Sequence, residues 1–197
     1  MLASGSPRRK MLLQQIGLEF TCCPADIREE WSNTESPEDL AQNLACRKAE
    51  EVAGRLDTGI VIAADTLVVV DAMIMGKPAN REEALSMLSR LSGRRHQVIT
   101  GICVMDVRDK LPDKAAELTD VFFRSLTPVE IDNYLDSGEW VDKAGSYAIQ
   151  GRGALLVARI EGCYFNVVGL PLSRLNMMLR KRGVDLLGEI EICNILL

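Results

Sequence analysis

The stretch IVIAADTLVVV, residues 60–70, decides the fold. Apart from Asp65 and Thr66 it is entirely aliphatic, which is typical of a strand that is buried on both faces. Asp65 does not fit such a strand, because aspartate is rare in strands and burial of an unpaired carboxylate costs several kcal/mol. Hydrogen bonds to the backbone at a strand end could account for it. Metal ligation or work as a general base explains the cost better, so Asp65 is the first candidate site residue.

Helices and strands alternate on both sides of this stretch, which indicates an α/β protein. Ser6, Ser36, Asn80 and Thr127 are typical helix N-caps, and all but Asn80 are followed directly by proline. The predicted helices cover residues 6–17, 36–56, 80–93, 127–138 and 171–183. Further strands are predicted at residues 1–6, 96–107, 117–126, 154–160 and 164–170, with a hairpin near Asp71.

Composition and charge narrow the function classes. The 197 residues are 47% hydrophobic and 26% charged, which predicts one globular domain, residues 1–197, whose segment 183–197 has no assignable pattern. The net charge of -5 argues against nucleic acid as a partner. Without a signal sequence or an apolar run of about 20 residues, we expect a cytoplasmic protein with no membrane partner. His96 is the only histidine, which excludes a three-histidine zinc site.

The segment LASGSPRRK, residues 2–10, places two arginines in the first turn of a predicted helix. The N-terminus of a helix is already partly positive, so Arg8 and Arg9 stand at its unfavourable end. They could be ordinary solvated arginines. A bound anion explains them better, because backbone N–H groups and planar guanidinium groups both match phosphate oxygens. The segment therefore indicates an anion site that a triphosphate would fit, and solvated arginines stay open as the alternative for so short a motif.

Two lysines and an acidic group are weaker candidates. Lys77 lies in a Gly-Lys-Pro loop with a constrained backbone, whereas Lys48 lies on a helix and could be an ordinary surface residue. Both are candidate phosphate ligands. Glu29 belongs to an acidic group, residues 26–30, which could add an oxygen ligand for Mg²⁺ or Mn²⁺ if it lies near Asp65.

The loop DKAGSYAIQGRG, residues 142–153, is a candidate for contact with a flat ring. Its glycines allow close approach of the backbone to a ligand. The amide of Gln150 offers both a donor and an acceptor, and Asp142 and Lys143 add further polar groups. The loop could also be an ordinary glycine-rich connection. It is not a P-loop, because the GxxxxGK[ST] spacing is absent.

Six segments together resemble the Maf family of nucleoside triphosphate pyrophosphatases. They occur in the family's order between Leu2 and Leu172 and read LASGSPRRKMLL, AADTLVVV, GKP, LSGRRHQVITG, DKAGSYAIQGRGALLV and VVGLPL. The resemblance implies an α/β fold related to the inosine triphosphate pyrophosphatases, with a central mixed twisted sheet, flanking helices and a nucleotide-binding cleft. It also implies a hydrolase of acid anhydrides that cleaves a nucleoside triphosphate between its α and β phosphates. The products would be the monophosphate and pyrophosphate, and a divalent cation, Mg²⁺ or Mn²⁺, would be the cofactor. Met1 directly precedes the first segment, so we expect a short first strand.

The resemblance also implies roles for individual residues. Asp65 would be the proton acceptor that activates water and, with Glu29, would hold the metal. The phosphates would be bound by Ser6, Arg8, Arg9, Lys48 and Lys77. Arg8, Thr66 and Gln150 match positions that set base preference, and the Gln150 loop is similar to that of the subfamily acting on dTTP and UTP. A glutamine amide can pair with the O4 and N3–H edge of uracil or thymine, whereas a glutamate suits the donors of guanine.

Two alternatives stay open on the sequence alone. A nucleotide-sensing regulator of cell division would use the same cleft with little turnover. A pyrophosphatase for methylated or modified nucleotides would keep the reaction and change the base. Pyrophosphate release from dTTP separates the enzyme from the regulator. The nucleoside triphosphate is the expected partner, and a homodimer is a further expectation because two-fold symmetry is common.

Overall fold

In the computed structural model, which describes residues 1–28 and 35–188, the chain forms one sheet with helices on both faces. The strands are β1 (Ile60–Val70), β2 (Met73–Met75), β3 (Arg95–Asp106), β4 (Pro112–Phe123) and β5 (Val157–Glu161). Neighbours in the order β2-β1-β3-β4-β5 are all antiparallel. The helices are α1 (Pro7–Gln15), α2 (Pro37–Ala53), α3 (Arg81–Leu91), α4 (Pro128–Asp136), α5 (Tyr164–Val168) and α6 (Leu172–Lys181). The predicted α/β fold is confirmed.

The first four helices begin where their caps predict. The side chains of Ser36, Asn80 and Thr127 each accept a hydrogen bond from the backbone N–H three residues later, at the starts of α2, α3 and α4. α1 begins after Ser6, whose side chain does not cap the helix. Among the described residues, no helix combines the length and apolar character needed to span a bilayer.

Alternate residues of β1 face different layers of the protein. One set packs against α2 and comprises Val61, Ala63, Leu67 and Val69. The other set packs against α1 and α6 at one end of the strand and against α3 and α4 at the other, and comprises Ile62, Ala64, Val68 and Val70. Because side chains alternate along a strand, Asp65 lies on the α2 side and Thr66 on the opposite side.

The outer edge of β1 is open in its middle. Leu2 forms isolated parallel bridges with Cys22 and Ile62, and β2 pairs with β1 only from Val68 onward. Between these contacts, residues 64–67 have no strand partner on this edge within the described part of the chain. The strand predicted at residues 1–6 is thus reduced to the bridges of Leu2. These two bridges are parallel, whereas every pairing between the five strands is antiparallel.

The strand predicted at residues 164–170 is wrong, because this segment contains the short helix α5. Its aromatic and β-branched residues favour a strand by propensity. Tertiary contacts override that propensity, since the buried side chain of Asn166 donates to the Val98 carbonyl oxygen and to Thr119 Oγ1, each over 2.9 Å. These bonds fix the segment against β3 and β4.

His96 belongs to a buried aromatic cluster on β3. Its Nε2 lies 2.7 Å from the hydroxyl of Tyr147, and its ring meets Phe123 and Tyr147 edge to face. The residue is 2% exposed. Burial lowers the pKa of His96 to about 4, against a smaller opposite effect of Asp120. His96 is therefore neutral near pH 7 and helps to hold Tyr147 in place.

The free energy of unfolding should fall when the pH is lowered from 6.5 to about 4. The pKa of His96 is about 4 in the folded protein against an ordinary value of 6.5, so the unfolded chain binds a proton in this interval that the folded chain excludes. The stabilising contribution is complete above the unfolded pKa and is lost by about 1.4 kcal/mol per pH unit down to the folded pKa. Urea unfolding at a series of pH values should show a shallower dependence in His96→Gln. Equal slopes in both proteins would contradict this assignment.

Candidate active site

A cleft of about 720 Å³ lies at the open edge of β1. All the described residues that the sequence assigned to the site line this cleft, namely Ser6, Arg8, Arg9, Lys48, Asp65, Thr66, Lys77 and Gln150. Glu29, which the resemblance assigned to the metal, lies outside the described residues. The fold thus brings together segments that are far apart along the chain.

Asp65 and Lys48 form an ion pair at the wall of the cleft. Asp65 faces α2, which carries Lys48, and Lys48 Nζ lies 2.5 Å from Asp65 Oδ1. Their side chains are only 9% and 13% exposed. The ammonium group neutralises a carboxylate whose burial would otherwise be costly. A carboxylate fixed in this way at a cleft wall can accept a proton from a water molecule.

The first turn of α1 lines the cleft with polar groups. Ser6 donates its backbone N–H to Ser4 Oγ over 3.2 Å. Arg8 is half-buried, with Nε 3.4 Å from the Val168 carbonyl oxygen. Burial lowers the pKa of Arg8, partly opposed by Tyr134. A partly desolvated guanidinium group at a helix N-terminus is well suited to bind phosphate.

Arg9 fastens three walls of the cleft to one another. Its Nε donates to the Gly169 carbonyl oxygen over 2.8 Å, Nη1 to Ser4 Oγ over 3.2 Å, and Nη2 to Thr66 Oγ1 over 3.0 Å. These bonds tie α1 to β1 and to the segment that follows α5. Arg9 therefore holds these three segments together, and it also adds a positive charge to the cleft.

Lys77 and Lys143 lie on two loops that are joined to each other. Gly145 donates its backbone N–H to the Gly76 carbonyl oxygen over 3.0 Å. Gly145 has a φ of 65°, and a Cβ at this position would lie 2.9 Å from Val68 Cγ1. The loop of Lys143 is therefore pressed against β1 as well as against the loop of Lys77.

Positive charge is concentrated where these loops meet α1. Burial lowers the pKa of Lys143, and the charges of Arg8 and Lys77 lower it as well, against the opposite effects of Asp142 and Glu139. Cations held this close repel one another, and a bound anion among them relieves the repulsion. From the sequence, Lys143 is expected only to contact a flat ring, whereas the structure places it within this cationic group.

Glu139 shapes the loop around Gln150. Its carboxylate accepts hydrogen bonds from the backbone N–H groups of Arg152 and Gly153, over 3.1 and 3.2 Å. A side chain at Gly153 is excluded, because its Cβ would lie 1.9 Å from the Ala148 carbonyl oxygen. The apolar lining of the cleft includes Val68, Val98, Tyr147, Ile149, Val167 and Val168. An amide among apolar walls suits a flat ring with polar edges.

Sequence reasoning missed the residues that support the cleft from the core. Thr100 and Asn166 are fully buried, and Thr100 contacts both Thr66 and Asn166. Local sequence does not mark a threonine within a strand as functional. Asn166 gave the one available signal, because an amide inside the apolar segment YFNVVGL needs hydrogen-bond partners if it is buried.

Whether the cleft can hold a divalent cation depends on the oxygen atoms that its residues supply as ligands. The described residues contain no group of three or more His, Cys, Asp or Glu side chains that could hold a metal ion. Asp65 supplies a carboxylate at the cleft wall. Mg²⁺ commonly takes one or two carboxylates, several waters and the phosphates of a substrate. A single carboxylate at the wall is compatible with an ion that takes most of its ligands from water and from the phosphates of a bound molecule.

The chain is similar to known proteins over most of its length. The profile of a family described as Maf-like protein matches residues 1–182. A dTTP/UTP pyrophosphatase of Carboxydothermus hydrogenoformans is 50% identical over 182 residues, which cover 92% of this chain and 97% of that protein. One of Syntrophomonas wolfei is 47% identical over 186 residues, covering 94% and 98%. A solved nucleoside-triphosphatase / dITP/XTP pyrophosphatase from Mycobacterium abscessus has a TM-score of 0.40 at 15% identity over 62% of this chain and 72% of that chain, a likeness too weak to carry an argument.

Proposed function

Because this chain belongs to the Maf family, we propose that it hydrolyses dTTP and UTP to the nucleoside monophosphate and pyrophosphate. The relatives described above bear that activity in their names. The observation that carries the proposal is the convergence of Arg8, Lys77 and Lys143 on a cleft whose wall holds the carboxylate of Asp65. The cleft volume of about 720 Å³ lies within the usual range for small-molecule sites, about 300–1,000 Å³.

In the proposed reaction, cations hold the triphosphate while Asp65 takes up a proton. Arg8, Lys77 and the first turn of α1, with Ser6, bind phosphate oxygens. Asp65 accepts a proton from the water whose oxygen forms a bond to the α-phosphorus. The bond from that phosphorus to the bridging oxygen breaks, and pyrophosphate leaves with the electron pair. Most of the acceleration comes from positioning and from stabilisation of charge.

The remaining assigned residues hold the components of the site. Lys48 neutralises the charge of Asp65. When substrate is bound, Lys48 also contacts phosphate oxygens. Arg9 holds the start of α1 against Thr66 and adds a positive charge near the phosphates. A divalent cation, Mg²⁺ or Mn²⁺, with Asp65 and Glu29 as proposed ligands, supplies additional charge neutralisation on the phosphates when bound.

The wider setting of the enzyme is also part of the proposal. We propose that residues 1–197 form a single domain that acts on free nucleotides in the cytoplasm. The family profile, which spans residues 1–182, supports one domain over that range. We also propose a homodimer, on the ground that closed two-fold symmetry is the commonest arrangement of soluble proteins that associate.

A panel of nucleoside triphosphates tests this function together with the role of Gln150. We expect the wild-type protein to release pyrophosphate from dTTP and UTP with Mg²⁺ or Mn²⁺ and to prefer them to GTP and to methylated nucleotides. In Gln150→Glu, the acceptor-only carboxylate repels the carbonyl edge of uracil and thymine, so kcat/KM for UTP relative to GTP should fall about tenfold or more. Pyrophosphate release and the kcat/KM ratios are the measurements.

Gln14→Glu on the exposed part of α1 is the matched control, because it makes the same chemical change outside the cleft. Its substrate profile should equal that of the wild type. Tight nucleotide binding without turnover would favour the regulator instead, and a preference for methylated triphosphates would favour the modified-nucleotide alternative. An unchanged profile in Gln150→Glu would refute the role of Gln150.

A further inference from the structure

A chain of hydrogen bonds runs from the cleft into the core through Thr66. Arg9 Nη2 lies 3.0 Å from Thr66 Oγ1, which lies 2.9 Å from Thr100 Oγ1. Thr100 Oγ1 in turn lies 3.1 Å from the backbone oxygen of Asn166. Thr66 and Thr100 are opposite each other in the pairing of β1 with β3. Thr66 is half-buried, whereas Thr100 and Asn166 are fully buried.

The two ends of this chain fix the direction of every bond within it. A guanidinium group only donates and a carbonyl oxygen only accepts. Thr100 therefore donates its single hydroxyl hydrogen to the Asn166 oxygen, and its own oxygen accepts from Thr66. The reverse orientation would set the lone pairs of Thr100 against those of the Asn166 carbonyl oxygen, 3.1 Å away. In a fully buried position such a contact is strongly unfavourable.

The fixed direction determines what Thr66 can offer to a ligand. Its hydrogen is directed to Thr100, and one lone pair of its oxygen accepts from Arg9. A hydroxyl oxygen has two acceptor sites. Because Thr66 lines the cleft, its remaining site is available to a ligand as an acceptor. A phosphate oxygen is an acceptor too and is repelled there. The group that binds Thr66 must therefore carry an N–H or O–H donor.

We propose that Thr100, held by Asn166, locks Thr66 as a hydrogen-bond acceptor that receives the imide N–H of a pyrimidine base. This inference rests on the proposed function. Uracil and thymine share that N–H, whereas cytosine has an acceptor nitrogen in its place. A sugar hydroxyl can donate or accept, so it does not require a partner of fixed direction. Gln150 then donates a hydrogen bond from its amide N–H group to the adjacent carbonyl oxygen of the base.

The apolar lining on the Thr66 side of β1 agrees with a base at this position. Val68 and Val98 are opposite each other in the β1–β3 pairing, two residues along from Thr66 and Thr100 on the same face, and both line the cleft. Aliphatic walls next to one acceptor suit a flat ring with a donor edge. Thr100 does not line the cleft, so it acts through Thr66 and is a positioning residue.

The test compares UTP with CTP in Thr100→Val and Thr100→Ser. Valine keeps the shape of threonine but removes the acceptor for the Thr66 hydroxyl, whose hydrogen can then turn to the acceptor nitrogen of cytosine. The ratio of kcat/KM for UTP to that for CTP should therefore fall about tenfold, the value of about one hydrogen bond. Serine keeps the hydroxyl and should retain the wild-type ratio, which a merely structural role of Thr100 does not predict.

Ser92→Ala is the control, because it removes a half-buried hydroxyl that bonds to the Leu126 backbone, outside the Thr66–Thr100–Asn166 chain and away from the cleft lining. It should leave the UTP to CTP ratio unchanged. Dissociation constants for the α,β-methylene analogues of UTP and CTP give the same ratio without turnover, so failure of the proposed reaction is distinguishable from failure of this inference. A Thr100→Val protein whose ratios match the wild type, or that loses both nucleotides equally, would overturn it.

Discussion

Replacement of Asp65 by asparagine is expected to lower pyrophosphate release from UTP about a thousandfold, within the range usual for loss of a general base. Asparagine keeps the size of aspartate and an oxygen that accepts from Lys48, but it cannot take a proton from water. Binding should survive, because the cations on the cleft are unchanged. The dissociation constant of α,β-methylene UTP, measured without added metal, should therefore stay within about threefold of the wild-type value, since this interaction does not depend on the proton transfer.

Asp106→Asn provides the matched control on the neighbouring strand. Asp106 is buried and bonds to Arg108, and it does not line the cleft. Its turnover should equal that of the wild type. Circular dichroism of both variants at 25 °C, a temperature well below the usual unfolding range, should show folded protein. Turnover of Asp65→Asn near the wild-type rate would remove Asp65 from the chemistry.

Replacement of Gly101 by alanine is expected to cause a large loss of stability. Gly101 is opposite Asp65 in the β1–β3 pairing and faces α2. A Cβ at this position would lie 2.2 Å from the carbonyl carbon and oxygen of Ala41, which are backbone atoms and cannot rotate away. We expect the free energy of unfolding to fall by about 3 kcal/mol or more, which lowers the melting temperature by about 10 °C.

Thermal unfolding of Gly54→Ala provides the comparison for Gly101→Ala. Gly54 has a helical φ of -64°, and an added Cβ there would meet only the Glu50 and Glu51 carbonyl oxygens at 3.5 Å. Its melting temperature should stay within about 2 °C of the wild type, because neither strain nor a clash is introduced. In Gly101→Ala, displacement of α2 should also separate Lys48 from Asp65 and reduce turnover. A melting temperature equal to that of Gly54→Ala would show that α2 shifts without cost.

Much of the fold follows from local patterns in the sequence. The buried strand at residues 60–70, the hairpin near Asp71 and the capped starts of α2, α3 and α4 were all predicted, because hydrophobic periodicity and capping act over a few residues. The strand predicted at residues 164–170 was wrong for the opposite reason. The conformation of that segment is decided by bonds from Asn166 to strands distant along the chain, which local propensity does not contain.

The sequence by itself identified Arg8 and Asp65 as residues in unfavourable positions, and it identified the residues that now line one cleft. A charge in an unfavourable position can be recognised from the sequence, because the start of a helix and a buried strand are both predicted from local patterns. Only the tertiary structure decided that the middle of β1 has an open edge within the described part of the chain. It also decided that Asp65 and Thr66 face opposite sides of the sheet, toward Lys48 and Thr100. Those properties depend on which atoms meet across strands and helices, and contacts of that kind are fixed by packing between elements that are remote in sequence.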